Sequence, residues 1–199
     1  MTRLGVFGSS FNPPTLAHDV LLAEAGWQLS LERIVVVPTG EAWHKVTSGV
    51  PEGSMRLGLA RAAFEGRKGL EISDSEVRRE GPSYTSDTLE EIHSLNPDNQ
   101  IIFLAGTDAA LGVGDWHRPE RVLELASFAV ASRSEIAREA VSKSFEELGA
   151  SDRLEFFEMP GIEISSSLVR ERIGLGRPWK HLVPHGVAEM IDNEGLYGE

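Results

Sequence analysis

Two segments of this chain carry residue types whose spacing suits phosphate chemistry. The first is Gly8-Ser9-Ser10-Phe11-Asn12-Pro13-Pro14-Thr15-Leu16-Ala17-His18. Gly8 and the two serines allow close backbone approach and offer N–H groups and hydroxyls to a ligand. Pro13-Pro14 stiffens the turn. Thr15 is placed to cap a helix, which puts His18 in the first helical turn. A helix N-terminus favours anions through its unpaired N–H groups and partial positive charge, and an imidazole there can donate to a phosphate oxygen. The dipole lowers the imidazole pKa, whereas a bound phosphate raises it. The second segment is Ile164-Ser165-Ser166-Ser167-Leu168-Val169-Arg170-Glu171-Arg172. Three hydroxyls open a helix and Arg170 adds a guanidinium able to bind phosphate in two-pronged fashion. Neither segment is a P-loop or a G-x-G-x-x-G fingerprint. One glycine and one histidine alone would read as a plain strand-to-helix turn, and any one serine as an ordinary cap. The whole order of residues favours a phosphate site.

The elements that must position these groups follow from hydrophobic patterning. Short apolar runs predict strands at Leu4–Gly8, Arg33–Val37, Leu70–Ser73, Gln100–Leu104, Phe128–Ser132 and Leu154–Met159. Most are continuously apolar, which suits strands buried on both faces of a parallel sheet. Helical spacing fills the intervals: Leu16 to Trp27, a Ser54-capped helix through Phe64, Leu89 to Leu95, Glu120 to Ala126, and Glu135 to Leu148. Strand and helix alternate, which predicts an α/β fold with a mostly parallel sheet. Two more helices, Ser167 to Ile173 and Val187 to Asn193, follow the last strand, so one domain over 1–199 with a helical part from about 165 to 199 is expected. Gly40 to Gly53, rich in glycine and without periodicity, is the one stretch expected to be mobile.

Composition bounds the function. The 199 residues hold 19 Lys plus Arg against 31 Asp plus Glu, for a formal net charge of −12. A surface of that sign repels a nucleic-acid backbone. The charge is uneven, however: Ser165 to His181 holds Arg170, Arg172, Arg177 and Lys180 against Glu171 alone. A mononucleotide needs only such a local funnel, whereas a polymer needs an extended track. There is no cysteine, which excludes disulfides and thiolate chemistry. Neither a membrane-length apolar run nor a secretory h-region is visible, so a cytoplasmic protein without membrane partners is expected.

The first segment resembles the G-(G/S)-(S/T)-F-(D/N)-P-x-(H/T)-x-x-H signature of the nucleotidylyltransferase superfamily, and the second its I-S-S-S/T-x-I/V-R element. Gly81-Pro82-Ser83-Tyr84-Thr85-Ser86-Asp87-Thr88-Leu89, Gly106-Thr107-Asp108-Ala109-Ala110-Leu111 and Trp116 are similar to motifs of the bacterial nicotinate-nucleotide adenylyltransferases. The resemblance covers nearly the whole chain. It implies a Rossmann-like doubly wound sheet with a small C-terminal helical extension. It also implies transfer of AMP from ATP to nicotinate mononucleotide, with Mg²⁺ arriving with ATP and no metal ligands of the protein's own.

Carried onto this sequence, the resemblance assigns ATP to Gly8, Ser9, Ser10, Phe11, Thr15, His18, Asp108, Arg133, Ser165, Ser166, Ser167 and Arg170. The mononucleotide falls to Asn12, His44, Lys45, Tyr84, Thr85 and Trp116, with His18, Arg170 and Lys45 serving catalysis. Trp116 would stack on the pyridine ring, and Tyr84 and Thr85 would donate to its carboxylate from a helix N-terminus. Four positions depart from the commonest form of the family pattern, which ends the first motif in His-x-Gly-His. Thr15 replaces a histidine and Ala17 a glycine. In the basic loop Ala42-Trp43-His44-Lys45 stands where Pro-Pro-His-Lys is usual. Within the same chemistry the alternatives are a nicotinamide mononucleotide or dual-specificity enzyme. From another class, the alternative is a catalytically silent nucleotide-sensing module. Phosphopantetheine or polyol-phosphate transfer would leave Tyr84, Thr85 and Trp116 without a purpose. The sequence neither requires nor excludes a homo-oligomer.

Overall fold

In a computed structural model, described for residues 2–41, 50–132 and 134–198, the six expected strands are all present. They are β1 (Arg3–Ser9), β2 (Arg33–Pro38), β3 (Leu70–Ile72), β4 (Gln100–Gly106), β5 (Ala126–Ala131) and β6 (Leu154–Phe157). They form one sheet in the order β3-β2-β1-β4-β5-β6. This is the doubly wound order, in which the chain returns to the middle of the sheet and then builds outward on the other side. The β1–β4, β4–β5 and β5–β6 pairs are parallel, with Leu4 opposite Ile101, Phe103 opposite Phe128 and Val130 opposite Phe156. Leu4 to Phe7, Ile34 to Val37, Ile101 to Ala105 and Phe128 to Val130 are buried without interruption. Their unbroken apolar runs therefore reflect cover on both faces.

Nine helices connect and follow the strands among the described residues: α1 (Leu16–Gln28), α2 (Gly53–Phe64), α3 (Ser75–Arg78), α4 (Thr85–Leu95), α5 (Thr107–Leu111), α6 (Pro119–Leu125), α7 (Glu135–Glu147), α8 (Ser166–Gly174) and α9 (His185–Glu194). Most helix ends agree with the patterning. Asn96 closes α4, and Gly195, at φ 61°, closes α9 in the left-handed conformation that glycine adopts readily. The start of α2 differs from expectation, since Glu52 is its N-cap and Ser54 lies inside the first turn without capping. Ala126 belongs to β5 and not to the preceding helix, because it pairs with Ile101. The segment after β4 forms α5.

The chain divides into two compact units. Met1–Phe7, Leu21–Val35 and Tyr84–Gly161 make the first; Gly8–Val20, Val36–Ser83 and Ile162–Glu199 make the second. The core of the first centres on Ile101, Ile102, Leu104 and Phe128, with Phe145 of α7 meeting the Phe128 ring edge-on at 5.4 Å. In the second, α2 packs against α9, and Leu59 and Phe64 of the one and Val187 and Ile191 of the other are buried. Each such buried side chain contributes roughly 2 kcal/mol. Gly186 makes that contact close: a Cβ there would fall 2.7 Å from the Ala62 carbonyl oxygen.

Candidate active site

β1 delivers the chain to Ser9, and the loop that follows returns it into α1 at Leu16. Gly8 and Ser10 are exposed, whereas Phe11 to Thr15 are buried. Phe11 turns the chain inward at φ 46°, and the Asn12–Pro13 bond is cis. The Phe11 ring packs against His18 at 5.4 Å and against Phe64 at 5.7 Å. An apolar anchor thus holds down a loop whose leading edge is open to a ligand.

Thr15 is the residue before α1, but its hydroxyl does not cap the helix backbone. It lies 2.9 Å from Nδ1 of His18, and the Thr15 N–H donates to the same nitrogen at 3.0 Å. The histidine therefore reaches back to the helix start in the way a capping-box carboxylate does. With a backbone N–H aimed at it, Nδ1 is an acceptor, so the neutral ring carries its proton on Nε2. Burial pushes the His18 pKa down from 6.5 to about 4, because a charged imidazolium is poorly solvated there. At neutral pH this histidine is a neutral donor.

The serine–arginine segment meets the same loop. Ser165 caps α8, accepting from the Leu168 N–H at 3.1 Å. The Ser166 hydroxyl donates to the Pro13 carbonyl at 2.8 Å. Arg170 donates through Nη1 to the Asn12 carbonyl at 2.6 Å and through Nη2 to the Ser167 hydroxyl at 3.1 Å. The two phosphate-suited segments, at opposite ends of the sequence, are joined by hydrogen bonds. A guanidinium has five N–H donors, so these two bonds leave Arg170 with donors for an anion.

Sequence reasoning did not single out Arg56. It is buried on the apolar face of α2, beside Leu59 and Ala60. Its guanidinium donates to the carbonyls of Pro51 (3.1 Å), Ser10 (2.9 Å) and Gly40 (2.6 Å). A charged residue within a helical apolar stripe was the readable signal. Gly40 has no room for a side chain, since a Cβ would sit 2.1 Å from the Glu76 carbonyl oxygen. Nearby, the buried Asn12 Oδ1 and Tyr197 hydroxyl have no hydrogen-bond partner. Burial pushes the Tyr197 hydroxyl up to about 12.

The first unit holds the other expected residues. Tyr84 precedes α4 and Thr85 begins it, and the Tyr84 carbonyl accepts from the N–H groups of Asp87 and Thr88. The Tyr84 ring stacks on His117 at 4.1 Å and 27°. Trp116 is half-buried and leans edge-on against Phe103 at 5.6 Å, with Phe128 at 5.8 Å. Asp108 is exposed on α5, directly beyond β4. Arg118, in the left-handed conformation at φ 52°, bonds the Ser86 hydroxyl at 3.3 Å and pairs with Asp87 and Glu90. It fastens the start of α4 to the turn carrying Trp116 and His117. Neither His117 nor Arg118 was assigned a role from the sequence. Arg133, His44 and Lys45 lie outside the described residues, as does Trp43.

Among the described residues no group of three His, Asp or Glu side chains could hold a metal ion, and no helix is long and apolar enough to cross a membrane.

A doubly wound sheet whose first strand runs into an anion-ready loop, braced by an arginine from a late helix, defines a nucleotide-binding class of α/β protein. Comparison with known proteins narrows that class. The cytidylyltransferase-like family model matches residues 6–172. The chain is 36% identical over 197 residues to a Carboxydothermus hydrogenoformans protein named "Probable nicotinate-nucleotide adenylyltransferase", covering 98% of each chain. It is 34% identical to a Saccharopolyspora erythraea protein of the same name, covering 98% of this chain and 89% of that one. The solved structure of Plasmodium falciparum nicotinic acid mononucleotide adenylyltransferase complexed with NaAD shares the fold, with a TM-score of 0.79 and 18% identity. That alignment covers 99% of this chain and 98% of the other. The chain belongs to the cytidylyltransferase-like family and, within it, to the nicotinate-nucleotide adenylyltransferases.

Proposed function

We propose that this chain transfers AMP from ATP to nicotinate mononucleotide, releasing pyrophosphate and forming nicotinate adenine dinucleotide. The observation that supports this reading most is the junction of the two phosphate-suited segments, through Arg170 to the Asn12 carbonyl and Ser166 to the Pro13 carbonyl. A phosphate oxygen of the mononucleotide attacks the α-phosphorus of ATP. One P–O bond forms there as the α–β anhydride bond breaks, and the electron pair leaves on pyrophosphate. The nucleophile is already anionic, so no general base is required. Catalysis rests on in-line positioning and on neutralising charge in the transition state.

His18 donates its Nε2–H to the α-phosphate. Ser165, Ser166, Ser167 and Arg170 hold the outer phosphates of ATP, and Gly8, Ser9, Ser10, Phe11 and Thr15 form the loop beneath them. Asp108 accepts from a ribose hydroxyl, and Arg133 serves the adenosine or triphosphate. Tyr84 and Thr85 bind the nicotinate carboxylate, Trp116 stacks on the pyridine, and Asn12, His44 and Lys45 take the mononucleotide phosphate. ATP enters as its Mg²⁺ complex, an ion that usually keeps several waters and needs few protein ligands. The chain acts as one catalytic domain in the cytoplasm. A pyrophosphate-release assay with ATP and each mononucleotide tests the reading: nicotinate should be the faster substrate, and silence with both would contradict it.

A further inference from the structure

Arg56 is the most heavily committed buried cation among the described residues, and no ligand has been assigned to it. Its three bonds use Nε, Nη1 and Nη2 separately, and each goes to a carbonyl from a different stretch of chain. Ser10 belongs to the loop after β1, Gly40 follows β2, and Pro51 precedes α2. A second bond, from the Thr39 N–H to the Ser9 carbonyl at 3.0 Å, joins two of the same stretches. Burial pushes the guanidinium down from its ordinary value, and Tyr197 and then Glu76 oppose that shift. Side chains are rarely buried with full charge unless their hydrogen bonds are satisfied. Here the acceptors are backbone, so what the residue fixes is the path of the chain.

We propose that Arg56 is a positioning residue for adenylyl transfer, holding the Ser10 carbonyl so that the Gly8–His18 loop presents its phosphate-binding groups in line. This rests on the proposed reaction. A planar fork can serve three divergent carbonyls, whereas an ammonium places all its donors on one atom. The inference therefore separates charge from geometry: Arg56→Lys keeps the first and loses the second. Misplacing reacting groups by about 1 Å costs on the order of a hundredfold in rate.

The test is steady-state pyrophosphate release by wild type, Arg56→Ala and Arg56→Lys, expressed per folded molecule well below each melting temperature. A silent wild type would refute the proposed reaction and this assignment with it, whereas the variants below test the assignment alone. With an active wild type, Arg56→Ala should lose about a hundredfold in kcat/KM for ATP. Guanidinium at sub-denaturing concentration should restore part of that activity, and sodium at equal concentration should not. Unchanged activity, or a loss that guanidinium does not repair, overturns the proposal. Should Arg56→Ala fail to fold, Arg56→Lys decides: a comparable loss supports the fork, and wild-type kcat and KM overturn it.

Discussion

The loop after β1 and the Tyr84–Trp116 region differ in the groups they present and in how those groups are held. The loop is held by directional polar bonds to its own carbonyls, from Arg56 to Ser10, from Arg170 to Asn12 and from Ser166 to Pro13. In the second region rings meet rings, Tyr84 on His117 and Trp116 against Phe103 and Phe128, and Arg118 adds a polar tie to Ser86, Asp87 and Glu90. Hydrogen bonds weaken steeply with misalignment, whereas ring contacts tolerate offset and tilt. Phosphorus chemistry demands alignment, and recognition of a flat ring demands area. Damage to the first region should therefore appear in rate or in the loop's stability, and damage to the second in affinity.

The largest expected thermodynamic effect lies in the first region. His18 has a folded pKa of about 4 against an ordinary value of 6.5. Between those values the unfolded chain binds a proton that the folded chain refuses. The neutral ring thus contributes stability that is fully present above pH 6.5 and lost as the pH falls toward 4. The full loss is about 3 kcal/mol. Urea unfolding of wild type and His18→Gln across this range should show the wild type losing that much more than the variant on acidification. Parallel pH profiles would contradict a neutral His18 held by its surroundings.

A smaller effect is expected from the second region. Trp116→Ala removes one stacking face, and such stacking is worth roughly 1–3 kcal/mol. KM for the mononucleotide should rise about tenfold or more, with KM for ATP unchanged. Lost ATP affinity with an unchanged mononucleotide KM would contradict the assignment.

What was legible in the sequence follows the same division. The β1 loop and the start of α8 could be read because their chemistry is local, with glycine, hydroxyls, histidine and arginine set at fixed spacing around a strand end or helix start. The sheet could be read because strands covered on both faces are continuously apolar. The partners of Arg56 could not, since they are backbone carbonyls up to 46 residues away, and a carbonyl carries no residue identity. Thr15 was correctly expected just before α1, yet the partner of its hydroxyl depends on where the His18 ring lies. Ser54 looked like a cap, but the N-cap of α2 is Glu52, two residues earlier, and its side chain makes no capping bond. Arg118 was missed for a similar reason: its partners Ser86, Asp87 and Glu90 lie about 30 residues upstream on α4.

The central claim is that a neutral His18, on a loop braced by its own carbonyls, stabilises the α-phosphate during adenylyl transfer. Its most direct test is kcat for pyrophosphate release by His18→Ala with ATP and nicotinate mononucleotide, measured beside a melting curve. Losing a positioned donor of this kind costs about a hundredfold to a thousandfold in kcat. The account predicts that fall in a protein that still melts cooperatively. Turnover near the wild-type value in the folded variant would contradict it.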